Sequence, residues 1–439
     1  VRLRRRDLLR ITGATLAASA LTACGGAEDE PAPTSSPSDC VSPTSDWHDA
    51  KNSGSGTLSM LSALLGTPEL QDRYANNVLT GFFGSSNYQM ATTYTTSDKL
   101  PDKIITALTG GTLADVVLPE YGWLHSMRRH NALEAVPDDL LTDLNVDERF
   151  LSGCRIEDTL YGVPYTMDLQ VIGYRIDLLT KAGITEPPAT LDALREMARE
   201  LTGDGISGFD PFGPGLVRTW ANLVGAYGGT LFTEDGTLSF NDGTGAAALN
   251  FLAELINDGT ASLSDIPGTG KPRLITQGKA VMAPMGVGIW DELNREGLGD
   301  EAHTAFFPMP PDEAGGSPSV LKTGTVLSVA RQSQYQDVAF QFLHHALEDQ
   351  PLSTTAAMIP AIPSRTGLLV TSEIASNRIA NAGLANIDHA GVMLGGSGAW
   401  LDLRPVIEGQ LRLTLEGKQS AATAIGNLAR VVSDSNNAG

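Results

Sequence analysis

Helix and strand signals alternate along this chain from about Thr57 onward, and that alternation restricts the fold to helices layered against sheet. Leu58, Met60 and Leu61 open a short apolar run, and 101–108 reads as a helix ended by Gly110-Gly111. Asp115-Val116-Val117-Leu118 follows as a buried strand stopped by Pro119. Thr190 can cap a helix in which Leu191, Leu194, Met197, Ala198 and Leu201 recur at helical spacing, with Asp192 in its first turn. Leu249, Leu252, Leu255 and Ile256 mark another helix, stopped at Gly259. Two more carry Val338, Phe342, Leu343 and Ala346, then Ile425, Leu428 and Val432. Short strands at 281–285 and 326–330 lie between them. A chain of 439 residues exceeds one ordinary hydrophobic core, so two lobes or domains are expected.

The first residues carry an address. Arg2, Arg4, Arg5 and Arg6 precede an apolar stretch from Ile11 to Leu21, too short to span a bilayer and followed by small residues. Leu21-Thr22-Ala23-Cys24 resembles a bacterial lipobox, which makes 1–23 a lipoprotein signal peptide and Cys24 the lipidated residue. Arg5-Arg6-Asp7-Leu8-Leu9-Arg10 also resembles a twin-arginine export signal, although a general secretory signal tolerates the same residues. Residues 24–56 are rich in Pro, Ser, Thr, Gly and acids and read as a disordered tether, with Trp47 as an early contact with the folded body. The expected location is extracytoplasmic, held to the cell membrane by the lipid.

Cleavage before Cys24 would remove five arginines (2, 4, 5, 6 and 10) and Asp7, leaving 25 Lys and Arg against 50 Asp and Glu. Nucleic acid and anionic lipid are poor partners for such a surface, while a small neutral ligand is indifferent to it. Cys40 and Cys154 remain as a possible disulfide in an oxidising compartment. No metal site and no cofactor are expected: His344-His345 are adjacent on a helix and cannot both face one ion, and no HExxH, CxxC or phosphate-cradling loop occurs.

A long ordered pattern runs through the middle of the chain: Tyr161-Gly162-Val163-Pro164-Tyr165, Asp168, Ile172-Gly173-Tyr174-Arg175, Ala182-Gly183-Ile184 and Pro187-Pro188-Ala189-Thr190. It resembles the extracellular solute-binding proteins of family 1, the sugar receptors of ABC importers related to maltose-binding protein. Four further segments agree in order: Leu108-Thr109-Gly110-Gly111 with Ala114-Asp115-Val116-Val117; Ala226-Tyr227-Gly228-Gly229; Gly278-Lys279-Ala280-Val281-Met282 with Gly286 and Trp290; and Phe307-Pro308-Met309-Pro310 with Gly324. The resemblance covers roughly 57–435. It departs from the family at 57–95 and at Arg175, where the family has Asn.

The resemblance implies a two-lobed periplasmic-binding-protein-like α/β fold, a multi-crossover hinge, a ligand cleft between the lobes and closure by hinge bending. Crossovers are expected near 166–169, 325–327 and 375–385. Lobe 1 would then hold 57–167 and 327–377, and lobe 2 168–326 and 380–435.

A sugar site needs acids, amides or Arg for hydroxyls and aromatic plates for C–H faces. Glu120 and Tyr121 follow a strand end, where open α/β sheets expose ligand groups. Asp168 matches a family acid at the crossover. Trp123, Trp220, Trp290 and Trp400 fall in segments that resemble cleft-lining ones. Arg218 and Asn222 flank Trp220, Gly286 and Gly288 allow close backbone approach, and Asp402 and Arg404 follow Trp400. Ser62 and Glu69 are weaker candidates.

The expected function is a monomeric, non-catalytic receptor that captures a carbohydrate and delivers it to an ABC permease. The alternatives are a secreted carbohydrate-active hydrolase with Asp168 and Glu120 as its acid pair, or a receptor for a polyamine, amino acid or glycerol phosphodiester.

Overall fold

The computed structural model describes residues 46–266, 273–371 and 373–438. Cys24, Cys40 and the signal-peptide segment lie outside them. Within the segment read as a tether, Trp47–Asn52 forms a short 3-10 helix. Trp47 is buried there, its indole N–H donating to Asp139 at 3.0 Å.

Among the described residues ten strands form one sheet: β1 (Gly56–Ser62), β2 (Tyr88–Tyr94), β3 (Val116–Val117), β4 (Val163–Arg175), β5 (Ser207–Phe209), β6 (Ala280–Met285), β7 (Thr304–Phe307), β8 (Leu321–Val329), β9 (Ile362–Pro363) and β10 (Val392–Met393). Their order along the main path is β2-β1-β3-β8-β4-β6-β5, with β7 and β9 on β4 and β10 on β8. β1 runs parallel to β2 and β3, and β5 parallel to β6. The helices that matter here are α1 (Leu100–Gly110), α2 (Leu124–Arg129), α3 (Leu191–Leu201), α4 (Leu216–Ala226), α5 (Thr244–Asn257), α6 (Trp290–Arg295), α7 (Gln336–Ala346), α8 (Trp400–Leu415) and α9 (Ala421–Ala438).

The capping signals act as expected. Thr190 Oγ1 accepts the Ala193 N–H at 3.2 Å and starts α3, while Gly111, at φ 61°, ends α1 in the left-handed conformation. Strand periodicity then distributes side chains between two cores. On β1, Leu58 and Met60 enter one core with Val116, Tyr165, Leu327 and Phe342, while Leu61 turns to the other. That second, larger core is filled by α4, α5, α8 and α9, around Trp220, Phe240, Leu252 and Leu428.

β4 and β8 tie the halves together. β8 is antiparallel to β4 from Leu321↔Gln170 to Leu327↔Val163, with a bulge between Thr325 and Val326. The upper part of β8 continues onto β3 through Ser328↔Val117. The far end of β4 instead pairs with β6 through Val171↔Met285 and with β7 through Ile172↔Phe307. Gly324 lets the central pair approach closely: at φ 153°, an added Cβ would lie 2.5 Å from the Thr166 carbonyl.

Candidate functional site

Register builds the site. Thr323 stands opposite Asp168, and Thr325 opposite Thr166. Alternate residues share a face, so two hydroxyls from β8, and one hydroxyl and one carboxyl from β4, project from one side of the central pair. Above them the chain leaves β3 through Pro119, and Glu120 bridges to Thr325 while the Tyr121 N–H donates to the Gly324 carbonyl at 2.8 Å. This turn delivers the Glu120 carboxylate to the same face.

A cavity of about 270 Å³ opens there, lined among others by Leu64, Glu120, Asp168, Arg218, Gly288 and Thr323. Arg218, in the first turn of α4, donates to Glu120 at 2.7 Å and to Thr323 Oγ1 at 3.1 Å. Both charged side chains are about one quarter exposed, at 27% and 26%. Asp168 Oδ1 accepts the Val287 N–H at 2.8 Å from the turn after β6. That approach requires glycine at 286, where an added Cβ would lie 2.2 Å from Asp168 Oδ2. Burial raises the Asp168 pKa, and the Val287 N–H, Arg218 and Arg273 oppose the rise. Asp210, whose carboxylate accepts the Phe212 N–H at 2.9 Å, is pushed up to about 6 by burial, with Arg273 pulling the other way. Burial in turn lowers the Arg273 guanidinium, against the pull of Glu292 and Asp210.

The structure therefore brings together Glu120, Asp168, Arg218 and Gly288 around one cavity, with Gly286 directly behind Asp168. It places the other sequence candidates elsewhere. Trp123, Trp220 and Trp400 are all but fully buried in the larger core, and none lines the cavity. The Trp220 indole N–H donates to the Gly245 carbonyl at 2.9 Å, and the Arg404 guanidinium lies 5.4 Å from the Trp123 ring centroid. Trp290 opens α6 just beyond Gly288 and is also buried.

Tyr121 is buried behind the turn, its hydroxyl donating to the Phe150 carbonyl at 2.6 Å and accepting the Gly153 N–H at 2.8 Å. Asn222 is buried, accepting from Ser319 at 2.8 Å. Asp402 accepts the Ser435 hydroxyl at 2.6 Å near the end of α9. Ser62 is buried and accepts the Leu64 N–H at 3.1 Å, whereas Glu69 is exposed in the first turn of the helix Pro68–Tyr74. Cys154 is buried and its thiol is pushed up to about 12 by burial; Cys40 lies outside the described residues. Sequence reasoning passed over Thr166, Thr323 and Thr325. The signal available for the first was its alternation with Met167 and Asp168.

A larger groove, about 770 Å³, runs between α2 and α9. Its arginines are engaged by the protein itself, Arg129 with Ser435 and Arg128 over the Tyr161 ring at 5.0 Å. The smaller cavity, where charged and hydroxyl groups converge from β4, β8, α4 and the turn after β3, is the better ligand site. Among the described residues no group of acids, histidines and cysteines could hold a metal ion, and no helix is long and apolar enough to cross a membrane.

The bacterial extracellular solute-binding protein family model matches residues 82–382. A binding protein of Brucella abortus (strain 2308) is 25% identical over 232 residues, which are 50% of this chain and 56% of the relative; the chain thus spans about half the length of the curated relatives it matches. Among solved structures, the GacH receptor of Streptomyces glaucescens, determined unliganded and with acarbose, is similar at a TM-score of 0.70 and 20% identity. The match covers 87% of this chain and 99% of that one. A sugar transporter protein from Arthrobacter chlorophenolicus A6 with bound laminaribiose gives a TM-score of 0.73 at 16% identity, covering 86% and 99%.

The fold is accordingly the two-lobed α/β fold of maltose-binding-protein-like receptors, as the sequence motifs implied. The family and these neighbours are substrate-binding proteins rather than enzymes, and the family acts outside the cytoplasm. With its model matched over most of the folded body, this chain belongs to the bacterial extracellular solute-binding proteins.

Proposed function

We propose that this protein is the lipid-anchored, monomeric receptor of an ABC importer, capturing a carbohydrate in the β4–β8 cavity and presenting it to the permease. The observation that carries the reading is the convergence of Asp168, Glu120, Arg218 and three threonines around one cavity. Carboxylates accept hydroxyl protons and Arg donates to hydroxyl oxygens, so the set matches the rim of a neutral sugar. In this reading lobe 1 is 57–167 with 327–377 and lobe 2 is 168–326 with 380–435. Glu120 and Arg218 then face each other across the cleft, and closure on ligand follows because only the closed state offers both walls at once. Cys24 carries the lipid.

Two experiments test this. Incubation with carbohydrate should return the sugar bound and chemically intact; cleavage products would instead establish the hydrolase alternative. Cys24→Ala should move the protein from the membrane fraction to the medium without loss of fold, because the single lipid is the only anchor assigned. A variant that stays in the membrane fraction would sink the lipoprotein assignment.

A further inference from the structure

We infer that the cavity is a single-ring site: its ligand is a monosaccharide, and added sugar rings gain nothing. The inference rests on the carbohydrate reading above and narrows it.

Three observations carry it. First, the cavity holds about 270 Å³, below the ~300–1,000 Å³ typical of small-molecule sites. Its width is set by protein: the Arg218–Glu120 ion pair at 2.7 Å directly joins α4 to the turn after β3. Second, the polar face is one ring in size. Thr166, Asp168, Thr323 and Thr325 are two opposed pairs, about 5 Å across the strands and about 7 Å along them. That patch matches the hydroxyl rim of one pyranose or furanose, with Glu120 and Arg218 reaching the ring from the side.

Third, among the described residues no aromatic ring lines the cavity. A chain of sugars gains most of its affinity by laying successive C–H faces on aromatic plates. Here Trp123, Trp220, Trp290 and Trp400 are spent on the core. The apolar lining is aliphatic, from residues such as Leu64, Leu118 and Ile359. A second ring would meet no plate and would have to displace the ion pair or project into water.

The test is calorimetric titration of the intact protein with matched series: D-glucose, maltose and maltotriose; D-xylose and xylobiose; L-arabinose and its α-1,5-linked biose and triose; D-galactose and its β-1,4-linked biose. In the series that binds, the monosaccharide should bind at least as tightly as its longer homologues. Thr166→Val and Thr325→Val should each weaken it by about threefold to tenfold, the scale of one neutral hydrogen bond. A longer sugar that binds clearly more tightly than its monosaccharide overturns the single-ring site while leaving the carbohydrate reading intact. So do threonine variants with unchanged affinity. Binding of no sugar of any length overturns the carbohydrate reading itself, and the narrower claim with it.

Discussion

Replacing Gly286 by Ala puts one methyl group into the most tightly fitted contact of the site. The new Cβ would lie 2.2 Å from Asp168 Oδ2, 2.5 Å from Oδ1 and 2.7 Å from Cγ. Gly286 has φ −107°, so the backbone accepts alanine and the whole cost falls on the carboxylate. Asp168 has one rotamer-bearing carbon between backbone and carboxyl, and moving it away breaks the 2.8 Å bond from the Val287 N–H. A hydrogen bond to a charged group contributes about 1.5–3 kcal/mol. Gly286→Ala should therefore lose about that much stability, and the displaced carboxylate should weaken sugar binding by about tenfold or more. Gly288 supplies the control for stability two residues on, because an added Cβ there meets no protein atom within 4 Å, and the parent is the reference for affinity. Urea unfolding of both variants, with titration of the ligand, reads the difference. Equal midpoints and equal affinities would refute the claim that Gly286 exists to seat Asp168.

Other substitutions separate binding from folding. Trp123→Ala and Trp220→Ala should each cost about 3–5 kcal/mol of stability, because the rings fill the core rather than the cavity; a loss of affinity at unchanged stability would contradict that placement. Glu120→Gln should change stability by about 1 kcal/mol or less, since its ion pair is partly solvated, yet weaken ligand binding by about tenfold in calorimetry. Asp210 gives a pH signature. Its folded pKa of about 6 lies above the ordinary carboxylate value, so the folded state is penalised once the group ionises. That penalty is absent below about pH 4, grows as pH rises and is complete above about pH 6, reaching about 3 kcal/mol at most. Asp210→Asn should therefore gain stability relative to the parent between pH 4 and 7 in denaturant titrations, and a constant difference would refute the assignment.

What the sequence disclosed and what it concealed divide along physical lines. Helix ends were legible because caps are local: Thr190 and Gly111 act on residues within one turn of themselves. Asp168 was legible because a charged residue between Met167 and Leu169 marks one face of a strand. The tryptophans misled, although spacing held the answer. Trp220 recurs with Leu216, Leu223 and Val224, and Trp400 with Leu403, Ile407 and Leu411, so each lies on its helix's apolar stripe and turns into the core. Thr323 and Thr325 were concealed for a different reason. Their place opposite Asp168 and Thr166 is fixed by antiparallel register between strands far apart in the chain, which no local pattern encodes.

The central claim is that Asp168 holds a carbohydrate in the β4–β8 cavity. Calorimetric titration of the intact protein and of Asp168→Ala with the best-binding sugar tests it most directly. Removing the carboxylate forfeits a charge-assisted hydrogen bond, so the variant should bind about 10-fold to 100-fold more weakly. Without ligand its unfolding midpoint should shift less than that of Gly286→Ala, because the lost Val287 N–H bond is offset by removal of a carboxylate whose charged form burial disfavours. Unchanged affinity for the sugar in Asp168→Ala would contradict the account.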